Sequence, residues 1–358
     1  MGSVEKRGES WVARWRDEAG HSRAKSFGRK GDADRFLTTV QHELLSGTYI
    51  DPAEAKRTTV SAYAERWMAA QPWRESTRTR TMSVYVNHVL PAFGDRSLGS
   101  LRTSELQSWA TGLHARLAPS TAESVFRLMA AICRAAFTDR LLGHCPTDGV
   151  RQPRREGDQR VPLTVSEVRA LAEAIVPELR AAVILAGCSG LRQGELFGLT
   201  NDRVGWVRRE IVVDRQLVTP SSGVPSFGPC KTARSTRTVP LPDDVMAALG
   251  EHVGTFGLGD DGLLFHRDGR PWPRNRAAEA IARASAAVGL DVGWHALRHH
   301  AASILIAHGL SVTAVAATLG HSPAECLKTY AAWWPNEHEV VRSAMARSWS
   351  TAALERLV

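Results

Sequence analysis

Two predicted helices near the C-terminal end constrain the fold more than any other feature of the sequence, because they bring tyrosine, histidine and arginine side chains together. Ser322, Pro323 and Glu325 form a helix-start signal, because serine caps, proline suits the first position and glutamate completes a capping box. Tyr330 then lies about two turns into this helix, and His321 lies on the loop before it. The two side chains can therefore face one small anion.

The second predicted helix lies upstream in the segment WHALRHHAASILIAHG. Its apolar residues follow the spacing of a buried helical stripe, and Gly309 ends the pattern. His295 and Arg298 share another face, one turn apart, so both can bind the same anion. Earlier in the chain, Arg192 follows a glycine-containing turn, and Glu195 lies one turn further on to orient it. The sequence predicts an anion site built from separate segments.

Together with an intervening lysine, these segments resemble the motif boxes of the tyrosine recombinases, the phage integrase family. The boxes are LRQGEL, the lysine before RTVPL, HALRHH, LGHS and the final tyrosine, in the order that the family has. The interval of nine residues between His321 and Tyr330 also fits the family. The resemblance covers roughly residues 160–335 and implies a mixed, mostly helical catalytic domain with a small β-sheet.

The residue types suit attack of a tyrosine on a phosphodiester. A tyrosine hydroxyl has a pKa of about 10 in solution, so it needs a proton acceptor and a polarised phosphate. Guanidinium groups stay charged and bind two phosphate oxygens at once, so they stabilise the transition state without a metal. With Glu195 in support, we predict six catalytic residues: Arg192, Lys231, His295, Arg298, His321 and Tyr330.

The expected reaction joins Tyr330 to DNA. The resemblance implies a 3′-phosphotyrosyl link, which keeps the phosphoester energy and lets another 5′ hydroxyl reseal the strand. Lys231, on a hairpin, is expected to protonate the departing 5′ oxygen, and His295 to take the tyrosine proton and return it. His321 is expected to hydrogen-bond the phosphate. Recombination then proceeds through a Holliday junction and needs no metal, ATP or other cofactor.

Residues 1–56 are predicted to form a small DNA-binding domain. WVARW and RAKSF alternate as strands, and a helical pattern follows that ends at Gly47. Eight lysines and arginines and three acidic residues lie between Lys6 and Lys30, which favours contact with DNA. The segment resembles the arm-binding domain of phage integrases, a three-stranded sheet backed by one helix. The alternative is a basic hairpin that only packs on the next domain. The predicted DNA contacts here are Arg14, Arg23 and Lys25.

Residues 57–151 are predicted to form a four-helix domain. Four amphipathic stretches follow one another, and the last begins with a capping box at Ser120 and Glu123. This region resembles the core-binding domain of the same family. Basic residues at one helix start suit phosphate binding. The predicted DNA contacts here are Arg74, Arg78 and Arg80.

Residues 152–162 are charged and contain proline, so we predict a linker there. The catalytic domain is expected over residues 163–358 and starts with a capping box at Thr164 and Glu167. An apolar tail follows from Trp333, and the resemblance implies that it packs on a neighbouring subunit. The alternative is that the tail folds back on its own domain. The resemblance also implies that the domains form a C-shaped clamp on DNA.

Composition agrees with a nucleic-acid partner. The chain has 358 residues, 43% of them apolar, which suffices for two or three folded domains, and its net charge is +8. The five cysteines lack CxxC spacing, and the histidines near Arg298 lack a second ligand cluster, so we predict a reduced protein without a metal site. His299 and His300 are interpreted as packing or DNA-proximal residues. Without a secretory leader or a membrane-spanning run, the chain is expected in the bacterial cytoplasm, with the nucleoid.

The resemblance also implies which partners the protein has, and two alternative functions remain open. It implies double-stranded DNA with attachment sites, a homotetramer on that DNA, a DNA-bending host factor and a directionality factor, for a phage or mobile element. One alternative is a type IB topoisomerase, which relaxes DNA without pairing two sites; the small N-terminal module argues against it. The other is a DNA-binding or architectural protein without catalysis, and the complete set of six catalytic residues argues against that.

Overall fold

The fold of the chain was analysed in a computed structural model. The described residues are 2–17, 20–47, 49–153, 161–218, 223, 225–230, 232–334, 341–343 and 345–346. Contacts divide the chain into two compact units, Met1–Asp158 and Gln159–Val358. Helices predominate in the second unit and in most of the first, and the sheets are small. This is the predicted fold class.

A three-stranded antiparallel sheet and one helix begin the first unit. The elements are β1 (Ser3–Arg7), β2 (Ser10–Arg16), β3 (Ser22–Phe27) and α1 (Lys30–Leu45). The middle strand is β2, and α1 packs on one face of the sheet, where Trp15 and Leu37 belong to a common core. The indole Nε1 of Trp15 donates a hydrogen bond to the Tyr49 hydroxyl at 3.0 Å. The sheet with one supporting helix confirms the predicted N-terminal module.

The rest of the first unit is helical. The helices are α2 (Pro52–Arg57), α3 (Val60–Ala69), α4 (Glu75–Val84), α5 (Leu90–Phe93), α6 (Thr103–Arg116) and α7 (Pro119–Thr138). A π-helical turn over Tyr85–Val89 joins α4 to α5 in one stretch, so the four predicted amphipathic stretches are present. The predicted cap at Ser120 is wrong. Pro119 is the first helical residue, because its fixed φ suits that position, and Ser120 lies inside the first turn.

The second unit contains the remaining helices. They are α8 (Val165–Ala174), α9 (Pro177–Ser189), α10 (Gln193–Phe197), α11 (Asp243–Phe256), α12 (Arg274–Ala287), α13 (Trp294–Ala307), α14 (Val312–Leu319) and α15 (Pro323–Tyr330). The predicted capping box of α8 is present, because Thr164 and Glu167 bond each other's backbone N–H groups. The predicted start of α15 is also present, since Ser322 Oγ accepts a hydrogen bond from the Glu325 N–H at 3.1 Å. The Glu325 side chain does not bond the Ser322 N–H in return, so only half of the predicted capping box is formed.

Short antiparallel strands lie beside these helices. They are β4 (Val204–Gly205), β5 (Glu210–Val213), β6 (Arg215–Val218), β7 (Ser226–Pro229), β8 (Arg237–Pro240), β9 (His266–Arg267) and β10 (Arg270–Pro271). One sheet has the order β4, β5, β8, and the other strands form the hairpins β6–β7 and β9–β10. The chain thus passes from the β6–β7 hairpin into β8 through the segment that contains Lys231.

Two glycines allow the helices of the second unit to approach one another at their ends. Gly190 ends α9 with a φ of +64°, and an added Cβ would lie 2.5 Å from Leu319 Cδ2 at the end of α14. Gly320 ends α14 with a φ of +66°, and an added Cβ would lie 3.0 Å from Ser235 Cα. Both conformations favour glycine. The first approach brings the end of α9 against α13 and the end of α14, and the second brings the end of α14 against the segment before β8.

Several predicted features fall outside the described residues. Lys231 and most of the apolar tail after Trp334 are among them, and so is most of the predicted linker. The domain boundaries proposed from the sequence therefore stay predictions. Across the part of the chain that the structure describes, no helix is both long and apolar enough to cross a membrane.

Candidate active site

Arg192 lies at the start of α10, where Glu195 orients it. Arg192 occupies the N-cap position, its N–H donates to Glu195 Oε2 at 3.0 Å, and its Nη1 donates to Glu195 Oε1 at 2.8 Å. The same guanidinium donates to Ser235 Oγ at 3.3 Å and to the Gly320 carbonyl at 3.2 Å. About a fifth of the Arg192 side chain stays exposed, 21%, so the group can meet a ligand from solvent.

Glu195 also binds a second arginine, which the sequence analysis did not select. Arg237, at the start of β8, donates to Glu195 Oε2 at 2.9 Å and to the Thr318 carbonyl at 2.6 Å. Burial alone would raise the pKa of Glu195, but Arg237 and Arg192 hold that pKa below its usual value. The carboxylate therefore stays charged and links α10, β8 and the end of α14. The position of Arg237 in RTVPL was visible in the sequence, but its partners were not.

Arg298 is fully buried in α13. Its Nη1 donates to the Gly190 carbonyl at 2.6 Å, and its Nη2 donates to the Leu319 carbonyl at 2.6 Å and lies 2.7 Å from His321 Nε2. Burial, followed by the nearby charge of Arg192, lowers the pKa of Arg298 to about 10, so it stays protonated at neutral pH. Within the described residues, its Nε has no hydrogen-bond partner.

His321 faces Arg298 as a neutral imidazole. Burial and the charge of Arg298 lower the pKa of His321 to about 3. Since an arginine has only donors, His321 Nε2 accepts from it, and the ring hydrogen must be on Nδ1. His321 Nδ1 is buried and has no hydrogen-bond partner within the described part of the chain. An unused N–H donor is therefore held next to two guanidinium groups.

Tyr330 ends α15 inside this cluster. The side chain is buried, its ring stacks on His321 with centroids 6.2 Å apart, and it meets the Trp333 ring at a tilt of 39° with centroids 4.9 Å apart. Burial raises the pKa of the Tyr330 hydroxyl, whereas the charge of Arg298 lowers it. The hydroxyl lies 3.2 Å from His299 Nδ1. The structure thus brings Arg192, Arg298, His321 and Tyr330 together.

The other two predicted catalytic residues differ in position. His295 is exposed in the first turn of α13, and its ring meets the His299 ring edge-on, with centroids 4.6 Å apart. Lys231 is outside the described residues, between Cys230 at the end of the β6–β7 hairpin and the turn before β8. No group of metal-ligating side chains occurs in the described ranges.

The two histidines after Arg298 have different surroundings. His300 is a packing residue, because its Nδ1 donates to the Leu163 carbonyl at 2.6 Å. His299 is buried as well, but it contacts the hydroxyl of Tyr330, which the sequence analysis did not foresee. The i, i+4 spacing from His295 was a visible signal, whereas the contact with a residue of α15 needed the folded chain.

The predicted DNA contacts of the N-terminal sheet lie on two faces. Arg14 is exposed on the face that it shares with Val12, whereas the strand pairing places Arg23 and Lys25 opposite Trp15 and Ala13, on the face of α1. Arg23 donates to Asp17 and also forms an ion pair with Asp51 at 2.6 Å. Lys25 Nζ lies over the Phe36 ring at 4.5 Å. The three residues therefore do not face one groove.

The basic residues of α4 are also divided. Arg78 is half-buried, and its guanidinium donates to the Met68 carbonyl in the last turn of α3 at 3.2 Å and to the Gln71 carbonyl just after α3 at 2.9 Å. Arg74 and Arg80 are exposed. Arg78 thus stabilises the turn between the two helices, and only the other two present their side chains to solvent.

Acid should destabilise the protein through His321. The pKa is 6.5 in the unfolded chain and about 3 in the folded one, so the unfolded chain binds more protons between these values. The free energy of unfolding therefore falls as the pH drops through this window. In the His321→Gln variant, the free energy of unfolding should fall less between about pH 7 and about pH 5 than it does in wild type. Urea unfolding at the two pH values measures this difference. His308 is exposed, so the His308→Gln variant is the control and should behave as wild type does. If the free energy of unfolding of His321→Gln falls as much as that of wild type, the lowered pKa is contradicted.

Two family models match most of the chain. The phage integrase family model matches residues 162–336, and the phage integrase central domain model matches residues 60–152. The first range contains the whole cluster around Tyr330. These matches place the chain in the class of site-specific DNA recombinases. Within that class, it belongs to the phage integrase family, whose members are tyrosine recombinases.

Curated relatives and solved structures agree. A putative prophage phiRv2 integrase of Mycobacterium tuberculosis is 26% identical over 318 residues, which are 86% of this chain and 84% of that protein. The integrase of Mycobacterium phage D29 is 22% identical over 339 residues, 89% of this chain and 88% of that protein.

Two solved structures show the same fold. The Tn1549 transposon integrase in complex with a circular intermediate DNA has a TM-score of 0.69 at 21% identity and covers 81% of this chain and 99% of that one. A lambda integrase tetramer bound to a Holliday junction has a TM-score of 0.57 at 19% identity and covers 90% and 94%. The likeness extends over nearly the full length of both solved chains, the first of which is a part of the Tn1549 integrase.

Proposed function

We propose that this integrase cleaves and rejoins DNA strands through a 3′-phosphotyrosyl link on Tyr330 and integrates a phage or mobile element at attachment sites through a Holliday junction. One observation carries the proposal: Arg192, Arg298, His321 and Tyr330 come from three separate segments and meet in one cluster. Arg298 contacts His321, the His321 ring stacks on that of Tyr330, and Arg192 donates to the Gly320 carbonyl next to His321. An array of donors around a buried tyrosine suits a phosphate ester better than a neutral ligand.

The scissile phosphate is held by fixed donors. Arg192 is partly exposed and Arg298 stays charged despite burial, so both can stabilise the negative charge of the transition state. His321 Nδ1 and Arg298 Nε are buried donors without a partner among the described residues, and a phosphate oxygen would satisfy such groups. Glu195 and Arg237 hold the Arg192 guanidinium in place and need not touch DNA.

Proton transfer completes the reaction. Tyr330 attacks phosphorus, and His295 takes up the hydroxyl proton during cleavage. Lys231, as in the family, protonates the 5′ oxygen that leaves. The phosphotyrosyl link keeps the energy of the phosphodiester, so neither ATP nor a metal ion is needed for resealing. A 5′ hydroxyl from a second DNA reverses the steps.

The first unit supplies further DNA contacts in this proposal. The exposed sheet face with Arg14 and the exposed residues Arg74 and Arg80 are positive and accessible. The assembly is a homotetramer on DNA, as the lambda integrase tetramer on a Holliday junction suggests. A DNA-bending host factor and a directionality factor act with it in the bacterial cytoplasm. The residues after Trp334 reach a neighbouring subunit.

The proposal is tested by trapping the covalent adduct. Purified full-length protein is incubated with nicked suicide DNA carrying the attachment site of its own element, with EDTA and without nucleotide. A covalent protein–DNA band on a denaturing gel is expected. Tight binding without a band would favour the non-catalytic DNA-binding alternative. A band together with relaxation of supercoiled DNA, but without joining of two sites, would favour the topoisomerase alternative.

A further inference from the structure

His299 is the histidine whose nitrogen contacts the nucleophile. Its Nδ1 lies 3.2 Å from the Tyr330 hydroxyl, and the two rings meet edge-on with centroids 5.6 Å apart. The Trp333 ring also meets the His299 ring edge-on, with centroids 5.9 Å apart. The imidazole is buried and lies in the middle of α13, so packing fixes its position relative to the hydroxyl.

We propose that His299 is a further catalytic residue, the immediate acceptor of the Tyr330 proton during strand cleavage. This inference rests on the proposed function. A general base must lie within hydrogen-bond reach of the proton that it removes, and His299 Nδ1 meets that condition. In this step the imidazole carries its own hydrogen on Nε2, and Nδ1 accepts from the Tyr330 hydroxyl.

The step balances in atoms and charge. The O–H bond of Tyr330 breaks and its proton moves to His299 Nδ1, while the tyrosine oxygen bonds to phosphorus. The bond from phosphorus to the 5′ oxygen breaks, and that oxygen takes a proton from Lys231 in the proposed function. On resealing, the imidazolium of His299 returns its proton to the tyrosine oxygen.

His295 takes a second place on the same route. Its ring lies edge-on to His299, and it is exposed. The buried imidazole accepts first, and the exposed one exchanges the proton with solvent. This order agrees with the positions of the two rings, since His299 contacts Tyr330 and His295 contacts His299.

The test replaces the titrating ring and keeps a polar atom in place. In His299→Asn, the amide oxygen lies near the former Nδ1 and can accept a hydrogen bond, but it cannot hold a proton at neutral pH. His300→Asn is the matched control, because His300 is the adjacent buried histidine of the same helix and its Nδ1 donates to the Leu163 carbonyl, before α8. Single-turnover cleavage of suicide DNA, DNA affinity and melting temperature are measured for both variants and wild type.

We expect His299→Asn to cleave about 100-fold more slowly or worse than wild type, with DNA affinity unchanged, and His300→Asn to stay near wild type. Cleavage by His299→Asn within about threefold of wild type overturns the inference, whether or not His295→Asn is slow.

The same assay separates the inference from the proposed function. If wild type itself forms no adduct, both fail. If wild type forms a normal adduct and His299→Asn cleaves as fast, only the inference fails.

A second substrate separates the base from the acid. With sulfur in place of the 5′ oxygen, the leaving thiolate needs no proton, because thiols are far more acidic than alcohols. The defect of His299→Asn should persist on this DNA, whereas that of Lys231→Ala should be corrected. Recovery of His299→Asn on the sulfur substrate would place its role at the leaving group and overturn the inference. If the asparagine variant does not fold, His299→Ala is assayed with added imidazole, which should restore cleavage; full activity without imidazole would overturn the inference.

Discussion

Replacing Tyr330 with phenylalanine should abolish the covalent adduct with suicide DNA while leaving the fold and DNA binding intact. The variant loses one oxygen, and the ring still packs on His321 and Trp333. Loss of the hydrogen bond to His299 should cost only about 1 kcal/mol of stability. Denaturing gels for the adduct, gel shifts for affinity and thermal melting measure the three quantities.

Tyr63→Phe provides the control for this change. Tyr63 is also buried, and its hydroxyl donates to Asp139 at 2.6 Å, but it lies in the helical part of the first unit. It should lose a comparable amount of stability and keep cleavage. An adduct of normal yield with Tyr330→Phe would show that another residue is the nucleophile.

Replacing Glu195 with glutamine should cause the largest loss of stability among these changes. The Glu195 side chain is 1% exposed and the Arg237 side chain 6% exposed, so the variant leaves buried guanidinium charge without its counter-ion. Removing one partner of a buried ion pair costs about 3–5 kcal/mol. Glutamine keeps one acceptor oxygen, and its NH2 group meets an arginine donor at either the Arg192 contact of 2.8 Å or the Arg237 contact of 2.9 Å, so the remaining folded protein should cleave DNA slowly. Urea unfolding and single-turnover cleavage measure the two effects.

A surface ion pair gives the comparison. Glu279 pairs with Arg276 on α12 with both side chains more than half exposed, at 51% and 60%. Glu279→Gln should change the free energy of unfolding by about 0–1 kcal/mol, without effect on cleavage. If Glu195→Gln is no more destabilised than Glu279→Gln, the buried carboxylate does not hold the site together.

The sequence predicted what local patterns encode. Alternation indicated the strands of the N-terminal sheet, helical periodicity indicated the helices around Arg298, and a capping signal located the start of α15 at Ser322. These features depend on residues a few positions apart, whose geometry the backbone repeat determines. The wrong prediction of a cap at Ser120 also concerns local sequence. Pro119, one residue earlier, is the first residue of the helix.

Contacts between distant segments could not be predicted in the same way. Arg237 binds Glu195, and His299 meets Tyr330, only because the ends of α9, α13 and α14 pack together. The sequence was sufficient to predict that the basic residues of the N-terminal sheet lie on two faces, since strand alternation alone separates Arg14 from Arg23. The three predicted DNA contacts, Arg14, Arg23 and Lys25, were selected by their charge and not by the sheet face on which they lie.

The most direct test of the central claim is to identify the amino acid and the DNA end in the trapped adduct. Suicide DNA labelled separately at each end of the cut strand is joined to wild-type protein, digested with trypsin and analysed by mass spectrometry. We predict a nucleotide bound through its 3′ phosphate to Tyr330 in the peptide TYAAWWPNEHEVVR, with a free 5′ hydroxyl on the other DNA fragment. Attachment to a different residue, or through a 5′ phosphate, would contradict the mechanism.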